Sequence, residues 1–218
     1  MGSGVVKTET RNVSEFHRIA LGVPATVELH QGGPDGVSIT GEDNVVPLVE
    51  TVVDNGTLKI RWSGRRDYSI DTTRDITIVV NARTIDGVAI AGAGRIHAVR
   101  LKTNAFHASL AGSGGVSIDS LDADSASTSI DGSGELKAAG RADVLEASIA
   151  GSGSLSAAKL KTNRARITLA GSGDASVWAT ETLAARIAGS GEVKYYGTPQ
   201  VSSTVAGSGA VRQAGNAR

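Results

Sequence analysis

The sequence predicts an all-β fold, a single-stranded right-handed parallel β-helix with about 18–20 residues per coil, and three observations predict it. A Gly-x-Gly pair recurs at Gly92, Gly112, Gly132, Gly151, Gly171, Gly189 and Gly207, at intervals of 20, 20, 19, 20, 18 and 18 residues. Apolar residues keep fixed places around it: Ile90, Leu110, Ile130, Ile149, Leu169, Ile187 and Val205 stand two before the first glycine, and Ile96, Val116, Leu136, Leu155, Ala175, Val193 and Val211 four after. Aromatics make up only 3% of the chain, so Val, Ile, Leu and Ala must fill the interior, which calls for a narrow core.

Each unit reads as a short strand, a glycine corner and a second short strand. Within an arm the pattern alternates with period two: Ala108, Leu110, Val116 and Ile118 point one way, Ser109 and Ser117 the other. Paired glycines in every coil argue against a helix. A coil this short cannot bury its own apolar face. Stacked at ~4.8 Å, about seven coils build continuous inner columns roughly 34 Å long. Glycine fits the corner because it reaches positive φ and leaves no side chain where the wall bends. Right-handedness follows from the general preference of parallel crossovers.

Residues 13–86 lack the glycine beat but still alternate, as in Thr26-Val27-Glu28-Leu29, Val37-Ser38-Ile39, Thr57-Leu58-Lys59-Ile60 and Asp75-Ile76-Thr77-Ile78. Asp54-Asn55-Gly56 signals a tight turn, and Gly32-Gly33-Pro34-Asp35-Gly36 another. Asn44 to Val53, interrupted by Pro47, is compatible with a short helix or a strand. The expected organisation is one continuous domain: residues 1–10 a leader remnant or expression scar, 11–86 irregular first coils and a cap, and 87–214 the repeat solenoid. Met1-Gly2-Ser3-Gly4 has no charged or apolar leader character, so a natural leader is expected to have been removed. The tail from Gln213 to Arg218 is too short and polar to cover much.

The order of these segments resembles the head GIN domain family of putative auto-transporter adhesins, a bacterial-envelope domain of unknown function. Arg11-Asn12-Val13-Ser14-Glu15-Phe16, Val27-Glu28-Leu29, Val37-Ser38-Ile39-Thr40-Gly41, Gly56-Thr57-Leu58-Lys59-Ile60, Ile76-Thr77-Ile78 and the Gly-Ser-Gly array carry the resemblance, which spans about residues 11–213. Ala93 and Asp131 are small departures from the usual turn. The resemblance implies a right-handed β-helix and an exported protein of the periplasm or cell surface, and it supplies no catalytic residues.

Composition removes several functions. With 22 basic and 22 acidic residues there is no stripe for nucleic acid and no polybasic membrane patch. No run approaches the length of a transmembrane helix. There are no cysteines, and His17, His30, His97 and His107 show no metal spacing. Calcium solenoids need Gly-Gly-x-Gly-x-Asp in successive turns, and only Asp174 follows a glycine pair here. Gly92-Ala93-Gly94 lacks the third glycine and helix of a nucleotide site. No cofactor and no metal are expected.

What remains is surface chemistry. Asp119, Asp122, Asp124 and Asp131 form the densest acidic cluster, with Lys137 and Arg141 near in sequence. They suit acid–base chemistry or a cation, but solvated turn residues are the plainer reading. Ser109, Ser129, Ser148, Thr168, Arg186 and Thr204 stand three before the glycine, and stacking makes them a largely hydroxyl row, joined by the corner serines Ser113, Ser133, Ser152, Ser172, Ser190 and Ser208. Such a row could face glycan or ice, though small polar residues also suit any solvated strand. Trp178 and Tyr196, each seven after its glycine, are expected to stack on adjacent coils, outward, opposite inward Val177 and Tyr195. They offer a platform for sugar or protein, or else a hydrophobic plug. The function that follows is a non-enzymatic, exported adhesion or envelope-scaffold module for a surface glycan or protein. A carbohydrate-binding or carbohydrate-active β-helix is the alternative. A homo-oligomer, in the form of a bactofilin-like polymer, is a second, because bare solenoid ends can stack.

Overall fold

The computed structural model describes residues 1–64 and 72–215. Its strands are β1 (Val6–Arg11), β2 (Arg18–Leu21), β3 (Ala25–Gln31), β4 (Gly36–Glu42), β5 (Val49–Asp54), β6 (Thr57–Trp62), β7 (Ile76–Ala82), β8 (Gly87–Gly92) and β9 (Arg95–Ala98). The long strands β10 (Leu101–Gly112), β11 (Gly115–Gly132), β12 (Glu135–Gly151), β13 (Ser154–Gly171) and β14 (Asp174–Gly189) follow, then β15 (Glu192–Tyr196), β16 (Gln200–Gly207) and β17 (Ala210–Gly215). All belong to one sheet wound on itself, a β-solenoid.

The glycine beat is the register of this sheet. Gly92, Gly112, Gly132, Gly151, Gly171, Gly189 and Gly207 lie directly over one another. These seven corners therefore bound six complete turns. At the five corners from Gly112 to Gly189 the serine N–H donates to the glycine carbonyl one coil below, as Ser133 does to Gly112 at 2.9 Å and Ser172 to Gly151 at 2.9 Å. Each coil has three walls. In the coil of β11, Gly115–Ile118 leaves the corner, Leu121–Ala123 forms a short middle wall, and Ser125–Gly132 leads to the next corner. Pairing slips between Ile118 and Leu121, where the chain bends.

The interior is filled by columns whose sizes complement one another. Phe106, Ala126, Leu145, Ala165 and Leu183 are in register. Two residues further on, Ala108, Thr128, Ala147, Ile167 and Ala185 form the adjacent column. Where one column is large the other is small, so neighbouring coils interdigitate without overpacking. Thr128 is the misfit. It is buried, and among the described residues its hydroxyl has no hydrogen-bond partner. An unpaired buried hydroxyl costs about 1–3 kcal/mol. Thr128→Val keeps the shape and removes the polar atom, so we expect it to raise stability by about 1–2 kcal/mol, read from the denaturant midpoint.

The amino-terminal region departs from simple sequential stacking. β2 pairs in parallel with both β6 and β8, and β3 with both β7 and β9. The coil formed first in the chain thus lies between the one formed second and the first glycine-cornered coil. Beyond it the parallel order ends: β4 runs antiparallel to β7, β1 antiparallel to β4, and β5 antiparallel to β6. Residues 6–10, expected to be a leader remnant or scar, are part of β1, bonded along their length to β4. The open choice for Asn44 to Val53 resolves into a 3-10 turn at Val46–Leu48, started by Pro47, and then β5. Asn55 and Gly56 take positive φ in the tight turn between β5 and β6. Glu42 ties the region together. Its buried carboxylate accepts hydrogen bonds from the Thr73 hydroxyl and from the backbone N–H of Thr73 and Gly4. The Thr73 hydroxyl does most to hold its pKa below the usual glutamate value, against the opposing effect of burial. At the other end the tail is described only as far as Gly215. The last described strand on the wall before the corner, β16, pairs with β14 alone, and Val205 is 40% exposed.

Candidate functional site

Alternation turns every second residue of the middle wall outward, and stacking aligns these residues into a ladder. Lys102, Asp122, Arg141, Lys161, Trp178 and Tyr196 follow one another in register on β10 to β15. The lower rungs neutralise each other. The Arg141 guanidinium donates twice to the Asp122 carboxylate, at 2.7 and 3.1 Å, and the Lys102 ammonium stands 3.9 Å from it. The hydrogen bond from Arg141 is the main reason that the Asp122 carboxyl titrates below the ordinary aspartate range.

The upper rungs are different. The Lys161 ammonium lies 5.8 Å from the centre of the Trp178 ring, within cation–π reach. Val177 is buried beneath Trp178, and Tyr195 packs partly buried against the core, while Trp178 and Tyr196 both remain partly exposed. The wall is shaped for this. β13 bulges over Ala158–Leu160, and the shorter β14 crosses that bulge directly, which brings Trp178 over Lys161. Beside the ladder, Asn163 donates to Asp143 at 3.4 Å, and the Thr180 hydroxyl donates to the Asn163 carbonyl at 3.2 Å.

The acidic cluster read from the sequence does not assemble. Asp119 lies on the preceding wall, 3.0 Å from His97 Nε2 on the coil below. Asp122 sits in the ladder, Asp124 is exposed at the bend after it, and Asp131 is at the glycine corner, where it accepts a 3.3 Å hydrogen bond from Ser129. Among the described residues no three His, Cys, Asp or Glu side chains approach closely enough to hold a metal ion. The hydroxyl row does align: Ser109, Ser129, Ser148, Thr168, Arg186 and Thr204 are in register.

Several hollows open on the outer surface, among them two of similar volume. One, about 480 Å³, is floored by small residues such as Gly87, Ala89 and Ser109 with Arg18 and His107 at its margin. Arg18 is engaged by Asp86 at 2.8 Å. Another, about 470 Å³, mixes polar and apolar lining: Ser117, Asp119, Lys137, Ser156 and Lys159 beside Ile118 and Ala138. It adjoins the ladder, because Lys159 stands two residues before Lys161 on the same strand and both are exposed. Offsets from the glycine give Trp178 and Tyr196 but miss Lys159 and Lys161, since the bulge changes their count, and they place Arg141 only beside the acidic residues in sequence.

Comparison with known proteins places this geometry. The family model described as "Putative auto-transporter adhesin, head GIN domain" matches residues 15–199. A putative adhesin from Bacteroides fragilis is similar over 97% of this chain and 98% of its own, with 26% identity and a TM-score of 0.92. A Parabacteroides distasonis protein described as a putative lipid binding protein covers the same shares with 27% identity and a TM-score of 0.81. A putative adhesin from Parabacteroides merdae, 22% identical with a TM-score of 0.72 over 97% of each chain, shares the fold. No curated protein sequence matches the chain.

Proposed function

The chain belongs to the head GIN domain family of putative auto-transporter adhesins, and on that premise we propose that it is a non-catalytic, exported interaction module whose contact face is the outer middle wall. The observation that carries this reading is the ladder's upper end. There an aromatic pair and an exposed lysine stand on a rigid wall, free of the ion pairs that occupy the rungs below. Rigid aromatics beside a cation make anchors for a partner at little entropic cost. Catalysis by paired carboxylates finds no support in the acidic residues, since Asp119 and Asp122 are each held by a separate basic neighbour. A lipid ligand, as in the description of the Parabacteroides distasonis relative, would need room for an acyl chain. The void bounded by Phe106, Leu145 and Leu160 in the solenoid interior is about 10 Å³, room for about one water-sized group and far short of an acyl chain. A ligand lying on the outer wall fits better.

The test combines binding and turnover. Purified protein is applied to a glycan array and to envelope preparations, alongside a panel of lyase and hydrolase substrates. We expect binding that Trp178→Ala with Tyr196→Ala weakens about tenfold or more, an unchanged circular dichroism spectrum, and no turnover. Turnover that disappears in Asp122→Asn would overturn the reading.

A further inference from the structure

We infer that this face recognises a carboxylated glycan, with the sugar in the hollow beside the ladder and its carboxylate on Lys159 and Lys161. The inference rests on the contact face proposed above and names its ligand. Lys159 and Lys161 are both exposed and stand two residues apart on β13, Lys159 within the bulge over Ala158–Leu160. Arg141 is in register below Lys161. Three cations therefore share one patch of a chain whose formal net charge is zero. Asp122 answers Arg141, whereas among the described residues neither Lys159 nor Lys161 has an ion-pair partner. Asp143 and Glu181 lie beside the ladder, the former bonded to Asn163. Clustered cations repel one another, and an anion between them relieves that cost.

The hollow supplies the rest of the recognition. Its volume of about 470 Å³ suits a saccharide segment. The hydroxyls of Ser117 and Ser156 can donate to or accept from sugar hydroxyls, and the Asp119 carboxylate can accept from one. A sugar ring presents an apolar C–H face, which Trp178, in register with Lys161 one coil on, can pack against. A neutral glycan would satisfy the hydroxyls and the ring but leave the two ammonium groups uncompensated. A carboxylated one satisfies all three.

Titration calorimetry with oligogalacturonate as the probe tests this, with methyl-esterified oligogalacturonate and a neutral xylo-oligosaccharide as comparison arms. We expect the acidic probe to bind, and either methyl esterification or the double substitution Lys159→Met, Lys161→Met to weaken it about tenfold or more. Its affinity should also fall as salt is raised. Both lysines are exposed, so the variant keeps its fold. Equal binding of acidic and neutral probes, or indifference to the lysine substitutions, overturns the inference while leaving the contact face standing. If no glycan binds but Trp178→Ala still abolishes attachment to envelope preparations, the ligand is a protein and the inference fails. If Trp178→Ala changes nothing in any arm, the contact face itself is wrong.

Discussion

Gly171→Ala is expected to cost about 3 kcal/mol or more and to lower the melting temperature by roughly 6–12 °C for a chain of this size. Two separate penalties meet at this corner. The residue has φ +123°, well beyond the left-handed basin near +57° that other residues occasionally reach. A Cβ there would also lie 2.4 Å from the carbonyl oxygen of Gly151, one coil below. That oxygen cannot retreat easily, since it accepts the N–H of Ser172 at 2.9 Å. Gly151 itself is held in register by the corner beneath it, Gly132. Gly92→Ala makes the natural comparison. Its φ is +106°, yet nothing lies within 4 Å of the added Cβ. The second variant carries the conformational penalty without the clash, and the difference between the two midpoints measures the clash. Ser172→Ala, at the exposed tip of the same corner, should stay within about 0.5 kcal/mol of the parent. Equal midpoints for Gly171→Ala and the parent would mean that the stacked corner yields, and that close backbone approach is not why glycine stands there.

Much of the solenoid could be read from those corners. A glycine that must approach the glycine below ties the register of each coil to its neighbour, so the aliphatic two residues earlier has to fall into one inner column. Leu110, Ile130, Ile149, Leu169 and Ile187 do so, all buried. The same count put Trp178 beside Tyr196, because β14 and β15 have equal offsets from their glycines. It fails one coil earlier. Lys161 stands ten residues after Gly151 but pairs with Trp178, seven after Gly171, since the bulge at Ala158–Leu160 absorbs the difference. No local pattern marks that bulge. It arises because tightly packed coils of unequal length must still meet at the next corner. The placement of β2 and β3 between β6–β7 and β8–β9 was likewise invisible. Those strands have the right alternation but no repeated landmark to say which neighbour they pair with, and the choice is made by contacts about 40–70 residues apart in the chain. The acidic residues scatter for a related reason. Asp119, Asp122, Asp124 and Asp131 are close along the chain, but the coil turns between them and sends them to different faces, where Asp119 and Asp122 each meet a basic residue from an adjacent coil.

Leu145→Ala should cost about 3–5 kcal/mol, toward the upper end of the range for such truncations. The reason is the company that Leu145 keeps. Its register partners below and above are Ala126 and Ala165, and the next inward residue on its own strand is Ala147. All four are buried. In an ordinary core, neighbouring leucine or methionine side chains swing into a new cavity and recover part of the loss. The alanines of its own wall have nothing to swing, so only side chains from the other walls, such as Leu136, Leu155 and Leu160, can move toward the space, and the backbone around the alanines is fixed by ladder hydrogen bonds on both sides. The vacated space would also merge with the small void already bounded by Phe106, Leu145 and Leu160. Ile167→Ala removes a side chain of similar size from the complementary column, but Leu169 flanks it along the strand and can give a little. It should therefore cost about 1 kcal/mol less than Leu145→Ala. The order of the two midpoints, measured by denaturant unfolding with the slopes compared, checks the argument. If Ile167→Ala is the more damaging, the alternation of large and small side chains is not what sets the cost. A narrow solenoid core that tolerates few adjustments also keeps the coils in register, and that register is what holds Lys161, Trp178 and Tyr196 one coil apart for a partner to read.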